Sequence, residues 1–156
     1  MILTVIQQPS PILRQKCLPV AKVTAEIKEI IHNMVDTMYN FHGVGLAAPQ
    51  VGYNIQVIVF DATQERNSPG VLINPEIVSH SKNTVENVEG CLSCKGFEGK
   101  VKRFEKVTVK AKNMAGKTVT LKAEGMLARV FQHEIDHLDG VLFIDKAKDL
   151  QEITSE

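Results

Sequence analysis

Helices combined with antiparallel strands in a single domain are what this sequence predicts, and three observations predict it. Apolar residues recur with helical spacing at Ile27, Ile30, Ile31, Met34, Val35, Met38 and Phe41. A period-two alternation over 106–111 is answered by another over 119–123 across a turn. A second helical stripe occupies 126–139. The 156 residues suit one domain, 1–156, that can bury about two-thirds of its unfolded surface.

The chain begins extended, broken by Pro9, Pro11 and Pro19. Thr24 is placed to cap the first helix, Glu26 suits the positive end of its dipole, and Gly43 is the expected stop. Gly43-Val44-Gly45-Leu46-Ala47-Ala48-Pro49-Gln50 carries two glycines and no charge, so its backbone can approach another group closely. A short strand is expected over 56–61, where Val57 to Phe60 are all apolar, with further strands over 71–74 and 76–79 separated by Pro75. Val107, Val109 and Ala111 alternate with lysine and threonine, and Val119, Leu121 and Ala123 pair with them across Asn113 and Gly116 as an antiparallel hairpin. The final helix is expected from Met126 to Asp139 with Gly140 at its end. A polar tail follows from about residue 146, expected to fray or form a short helix.

Eighteen basic and eighteen acidic side chains cancel, which removes the electrostatic case for DNA or an anionic membrane as partner. No apolar run nears the roughly 20 residues a membrane span requires. The opening segment lacks a basic region followed by an apolar core, so the expectation is an unprocessed cytoplasmic protein. Three cysteines, an odd number without an export signal, indicate reduced thiols, with Cys17 a buried or partly buried neutral one.

His133-Glu134-Ile135-Asp136-His137 carries the chemistry. Two imidazoles four residues apart share one helix face and can share a metal ion, and the glutamate between them is the usual proton carrier for hydrolysis. The plain alternative is a helix with two surface histidines. Met126, Val130, His133 and His137 fall on one stripe, which turns the histidines inward. A catalytic site takes three protein ligands and an open position. The extended motif of the metzincin proteases would need a histidine where Phe143 stands. A downstream glutamate, as in thermolysin-like proteases, leaves Glu152 or Glu156, both in the polar tail. Cys91 within Glu89-Gly90-Cys91-Leu92-Ser93-Cys94 is the better candidate, because a thiolate binds zinc or ferrous iron strongly.

Three segments together, Gly43 to Gln50, Glu89 to Ser93 and Gln132 to Leu138, resemble in order and spacing the signature motifs of the peptide deformylases, over nearly the whole chain. The resemblance implies an α+β domain with antiparallel strands packed around a central metal-bearing helix. It implies Cys91, His133 and His137 as metal ligands, Glu134 as the proton carrier, and Gln50 with the Leu92 backbone N–H as donors to the reacting oxygen. Gly45 is implied to hydrogen-bond substrate through its backbone, with Val44, Met126 and Val130 walling an apolar methionine pocket. The reaction implied is hydrolysis of the formyl group from N-formylmethionine on new polypeptides, with docking near the ribosomal exit tunnel a further expectation. One divalent ion is implied, Fe2+ first, with Zn2+, Ni2+ or Co2+ as substitutes.

Two positions depart from the family pattern. Cys94 and Lys95 stand where relatives have an apolar residue and proline. Cys94 creates a C-x-x-C pair, read here as a replacement for a small apolar residue rather than as a redox motif, although its thiol adds an oxidation liability. Arg129 reads as a guanidinium reaching solvent along its aliphatic stem, the alternative being a rim residue that attracts a peptide carbonyl or carboxylate. A general HExxH metallopeptidase leaves the cysteine motif unexplained. A non-catalytic relative that binds nascent chains leaves the intact Glu134 and Gln50 unexplained.

Overall fold

The computed structural model describes residues 1–153. Eight strands and two long helices are present among them: β1 (Gly45–Ala47), β2 (Val57–Phe60), β3 (Gly70–His80), β4 (Thr84–Glu89), β5 (Phe97–Phe104), β6 (Lys106–Lys112), β7 (Thr118–Glu124), β8 (Lys148–Glu152), α1 (Ala25–Asn40) and α2 (Gly125–Leu138). A five-stranded sheet runs in the order β1-β2-β3-β6-β7 and a three-stranded one in the order β4-β5-β8, with every pairing antiparallel. This is the expected α+β arrangement.

The unbroken apolar run of β2 has a direct cause, because helices cover both its faces. Val57 and Val59 pack with Ile30, Ile31, Met34 and Met38 of α1. Ile58 and Phe60 point the other way, against Ala128 and Phe131 of α2. Phe60 and Phe131 meet edge to face with ring centres 4.8 Å apart. Thr24 caps α1 as expected, its hydroxyl accepting from the Ile27 N–H at 3.2 Å. The helix stop is different: the left-handed residue is His42, with φ 58°, while the Gly43 N–H reaches back to the Met38 carbonyl at 2.9 Å. Gly140 does end α2 with φ 74°, and a Cβ there would lie 2.5 Å from the Arg14 carbonyl oxygen. Cys17 is buried, and burial pushes its thiol up to about 11, so it stays neutral.

Other expectations need correction. Pro75 does not divide two strands; β3 runs through it with a register shift between Ile73 and Glu76. Asn74 adopts φ 53° at this bulge, and its side-chain amide exchanges two 2.8 Å hydrogen bonds with the Val20 backbone. The tail forms neither a helix nor a frayed end over 148–152, since β8 pairs with β5 from Lys100↔Lys148 to Phe97↔Glu152. Of the tail, residues 154–156, including Glu156, lie outside the described residues.

Asp61, just after β2, fixes the segment preceding β1. Its backbone N–H donates to the Val44 carbonyl at 2.9 Å. Its carboxylate accepts from the Tyr39 hydroxyl at 2.6 Å and from the Thr63 and Ser68 N–H groups at 2.9 and 3.1 Å. Arg66 bridges the Asp61 and Gly43 carbonyls. Burial alone would raise the Asp61 pKa, but hydrogen bonds from Thr63 and Tyr39 hold it well below the usual carboxylate range. A depressed folded pKa contributes stability that is complete above the unfolded value of about 3.9 and drains as pH falls towards the folded value. Asp61→Asn should therefore lose about 1–3 kcal/mol in urea unfolding at pH 7. The gap between variant and parent should narrow as the pH falls below about 4.

Candidate active site

Helix α2 brings His133 and His137 to its inner face, one turn apart, with ring centres separated by 5.1 Å. The turn after β4 carries Cys91 to the same point. Its Sγ lies 3.4 Å from His137 Nε2, and ligand atoms of Cys91, His133 and His137 all fall within 4.8 Å of one another. Tetrahedral zinc with bonds of about 2.0–2.3 Å has edges of about 3.5 Å. The donor set and its spacing therefore fit a metal ion. Burial and the neighbouring His133 hold His137 well below its ordinary pKa, which keeps the ring neutral as ligation demands.

Glu134 sits behind this cluster, with its Oε1 buried and without a hydrogen-bond partner among the described residues. Burial pushes its carboxyl up to about 7, against the pull of His133. Gly45 is what admits it: a Cβ there would come within 2.5 Å of Glu134 Oε2. The two-glycine segment was expected to allow a close approach of its backbone to another group, and the structure shows Glu134 as that group at Gly45.

A buried ion network, absent from the sequence analysis, orients the first histidine. Glu89 Oε1 lies 2.8 Å from His133 Nδ1, which leaves Nε2 as the ring atom available to a metal. Arg103 makes a two-pronged contact with Glu89, 2.9 Å at each oxygen, and reaches Asp136 at 2.5 Å. Burial opposes ionisation of Glu89, yet hydrogen bonds from His133 and Arg103 hold its pKa well below the usual range.

Arg129 completes the network, and both sequence readings of it are overturned. Its side chain is only 9% exposed, so the stem does not carry the charge to solvent. Three of its donor contacts go inward, to Glu89 Oε2 at 2.5 Å and to the Val101 and Val85 carbonyls at 3.0 and 2.6 Å, which makes it a structural partner of Glu89 at the cavity wall rather than a free charge at the rim. The available signal was register: Arg103 falls in phase with inward-facing Val101 on β5, and Glu89 stands two residues before Cys91.

Gln50 is almost fully buried, and its amide is oriented from both ends. Oε1 accepts from the Ala47 N–H at 2.9 Å, while Nε2 donates to Ser93 Oγ at 3.0 Å and lies 3.6 Å from Cys91 Sγ. The Ser93 N–H also points at that sulfur, at 3.5 Å. The Leu92 N–H meets no acceptor among the described residues, whereas its carbonyl accepts from Gln7 Nε2 at 2.6 Å. These groups line a cavity of about 920 Å³ together with Val44, Gly45, Met126 and Val130. Val130 is buried in its wall, and Val44 and Met126 stand partly exposed at the mouth. All ten residues singled out from the sequence thus border one cavity or, for His137, the metal-ligand cluster beside it.

Comparison with known proteins agrees with this arrangement. Residues 2–152 match the family model described as polypeptide deformylase. A peptide deformylase of Halothermothrix orenii is 56% identical over 137 residues, which cover 87% of this chain and 87% of the relative. One from Symbiobacterium thermophilum is 47% identical over 155 residues, covering 99% of this chain and 71% of the relative. The crystal structure of peptide deformylase from Thermotoga maritima is similar with a TM-score of 0.91 at 40% identity, covering 95% of this chain and 99% of that one. That of the Synechococcus elongatus enzyme in complex with actinonin gives 0.90 at 42%, covering 94% and 79%. With a family match across nearly its whole length, the chain belongs to the polypeptide deformylase family.

Proposed function

We propose that Cys91, His133 and His137 hold one divalent ion, ferrous iron in the native protein, and that Glu134, Gln50 and Leu92 act beside it on the formyl amide of a formylmethionyl chain. Family membership gives the overall activity, the metal-dependent removal of the formyl group from nascent polypeptides. The observation that supports the residue roles is the convergence of three ligand atoms within 4.8 Å beside a buried carboxylate oxygen with no hydrogen-bond partner among the described residues. When bound, the ion supplies Lewis acidity that brings water towards ionisation at neutral pH, and a thiolate donor admits ferrous iron as well as zinc, nickel or cobalt.

Glu134 accepts the proton of the attacking water and delivers it to the departing amine, a task suited to a carboxyl poised near neutrality. The products are formate and a free amino terminus. Negative charge grows on the former formyl oxygen as the carbon becomes tetrahedral. The Gln50 amide, pre-aimed by Ala47, and the Leu92 N–H donate to that oxygen, and loss of one such donor typically costs about 3 kcal/mol in the barrier. Val44, Met126 and Val130 receive the methionine side chain, while the Gly45 backbone aligns the peptide. Arg129 and Arg103 keep Glu89 ionised and in place, so that His133 presents Nε2.

The natural partner is then a formylmethionyl nascent peptide met in the cytoplasm close to the ribosomal exit tunnel, with no part for DNA. No helix among the described residues is long and apolar enough to cross a membrane.

Formate release from a formyl-Met tripeptide, after anaerobic addition of ferrous iron, tests the reading, with the unformylated peptide expected to remain intact. Glu134→Ala should keep its metal and lose turnover; a fully active Glu134→Ala protein would sink the mechanism. Cys91→Ser should lose the metal itself, as read by elemental analysis. Arg129→Leu should weaken ion binding by about tenfold or more in a competitive chelator titration, with the peptide KM little changed. A rim residue that bound peptide would show the reverse pattern.

A further inference from the structure

Hydrolysis leaves one element of the site without a task, the second sulfur of Cys91-Leu92-Ser93-Cys94. The Cys94 N–H donates to the Cys91 carbonyl at 3.0 Å, closing a four-residue turn. Such a turn holds its end Cα atoms less than about 7 Å apart, and a disulfide spans about 4.4–6.8 Å between Cα atoms. Cys91 packs against the small cluster of Leu13, Cys94, Val101, Leu142 and Phe143.

The two sulfurs differ in access. Cys91 is partly exposed within the cavity, whereas Cys94 is 1% exposed. A small oxidant entering the cavity therefore meets Cys91 first. Cys94 borders the same cavity but is 1% exposed, and it needs no solvent access to attack an oxidised neighbour across one turn. Cys17 belongs to a different cluster, against α2 and the larger sheet.

We propose that Cys91 and Cys94 form a resolving thiol pair, closed into a disulfide by a hydroperoxide and reopened by a thiol reductant, so that oxidation of the metal-free site stays reversible. The Cys91 sulfur attacks one peroxide oxygen, the O–O bond breaks, and Cys91 sulfenic acid and an alcohol (water, from hydrogen peroxide) result. The Cys94 sulfur then attacks Cys91 Sγ. The S–S bond forms, the S–O bond breaks, and the hydroxide leaves as water with the Cys94 proton. Two thiols are oxidised by two electrons in all, and the peroxide is reduced by two. Without Cys94, the sulfenic acid has no thiol to condense with and proceeds to sulfinic and sulfonic acids, which thiol reductants do not restore. This inference rests on Cys91 being a metal ligand insofar as the disulfide silences the site.

The test treats metal-stripped protein with hydrogen peroxide, then reads intact mass, a peptide map and zinc binding by a chromogenic chelator. Loss of two hydrogens confined to residues 91–94, with loss of zinc binding, is expected, and dithiothreitol should restore both. Cys94→Ser and Cys94→Ala, two replacements in case one fails to fold, should instead gain oxygen atoms at Cys91 that dithiothreitol leaves in place. Irreversible oxygen gain in the parent protein overturns the pair while leaving the ligand reading intact. A disulfide that forms without loss of zinc binding overturns the ligand role of Cys91, and the silencing with it.

Discussion

The buried carboxylate of Glu89 is the constraint on which the site depends. It ends β4, it is gripped by Arg103 from β5 and Arg129 from α2, and it sets the ring of His133. Buried ion pairs are weak evidence for stability, because desolvation offsets much of their attraction. Their value here lies in specificity. Apolar residues would let the smaller sheet slide on α2, whereas the Arg103 fork on Glu89 and the Arg129 contacts with Glu89 and two backbone carbonyls define one register. Glu89 lies two residues before Cys91, so the contact that fixes the sheet also fixes the distance between thiol and imidazoles.

The first glycine-rich segment is fixed from the opposite side. Asp61 and Arg66 hold the Val44 and Gly43 carbonyls from behind, while Gly45 faces Glu134 with no side chain between them. A residue with a Cβ at 45 would displace the carboxylate from its place. The loop ends in Gln50, whose amide carbonyl is held by the Ala47 N–H, so that its N–H groups turn towards Cys91 and Ser93. Backbone shape and side-chain aim are therefore one requirement, which accounts for a long uncharged motif in a chain otherwise rich in charge.

Much of this was legible in the sequence where burial follows a simple period. The stripe of α1, the β6–β7 hairpin and the inward face of α2 are amphipathic, and each lies within a residue or two of its expected place. The smaller sheet was not legible. β4 is exposed along most of its length, and the inward positions of β5 are Gly99, Val101 and Arg103, a pattern with one large apolar residue. β8 is exposed throughout and owes its conformation to backbone pairing alone. Arg129 was misread for a related reason: an arginine on a helix has solvent as its default partner, and only tertiary structure delivers Glu89 from 40 residues away. The three residues that could hold a metal were readable because such chemistry restricts residue type and spacing more tightly than packing does.

The uneven exposure of apolar side chains follows from the same division of labour. Phe41, Val44, Val88, Met126 and Ile153 are all substantially exposed, and all border the same cavity of about 920 Å³. Scattered singly they would need no explanation, but gathered round a cavity that leads to the metal ligands they form a surface that water solvates poorly. Covering it with further chain would recover that hydrophobic free energy and would also close this approach to Cys91, His133 and His137. β8 turns along β5 rather than over the cavity, so among the described residues the rim is exposed, with Ile153 at its edge. The apolar rim is thus held at a cost in folding stability, which under the proposed function a bound peptide would offset, placing substrate affinity in the part of the fold that packing leaves unfinished.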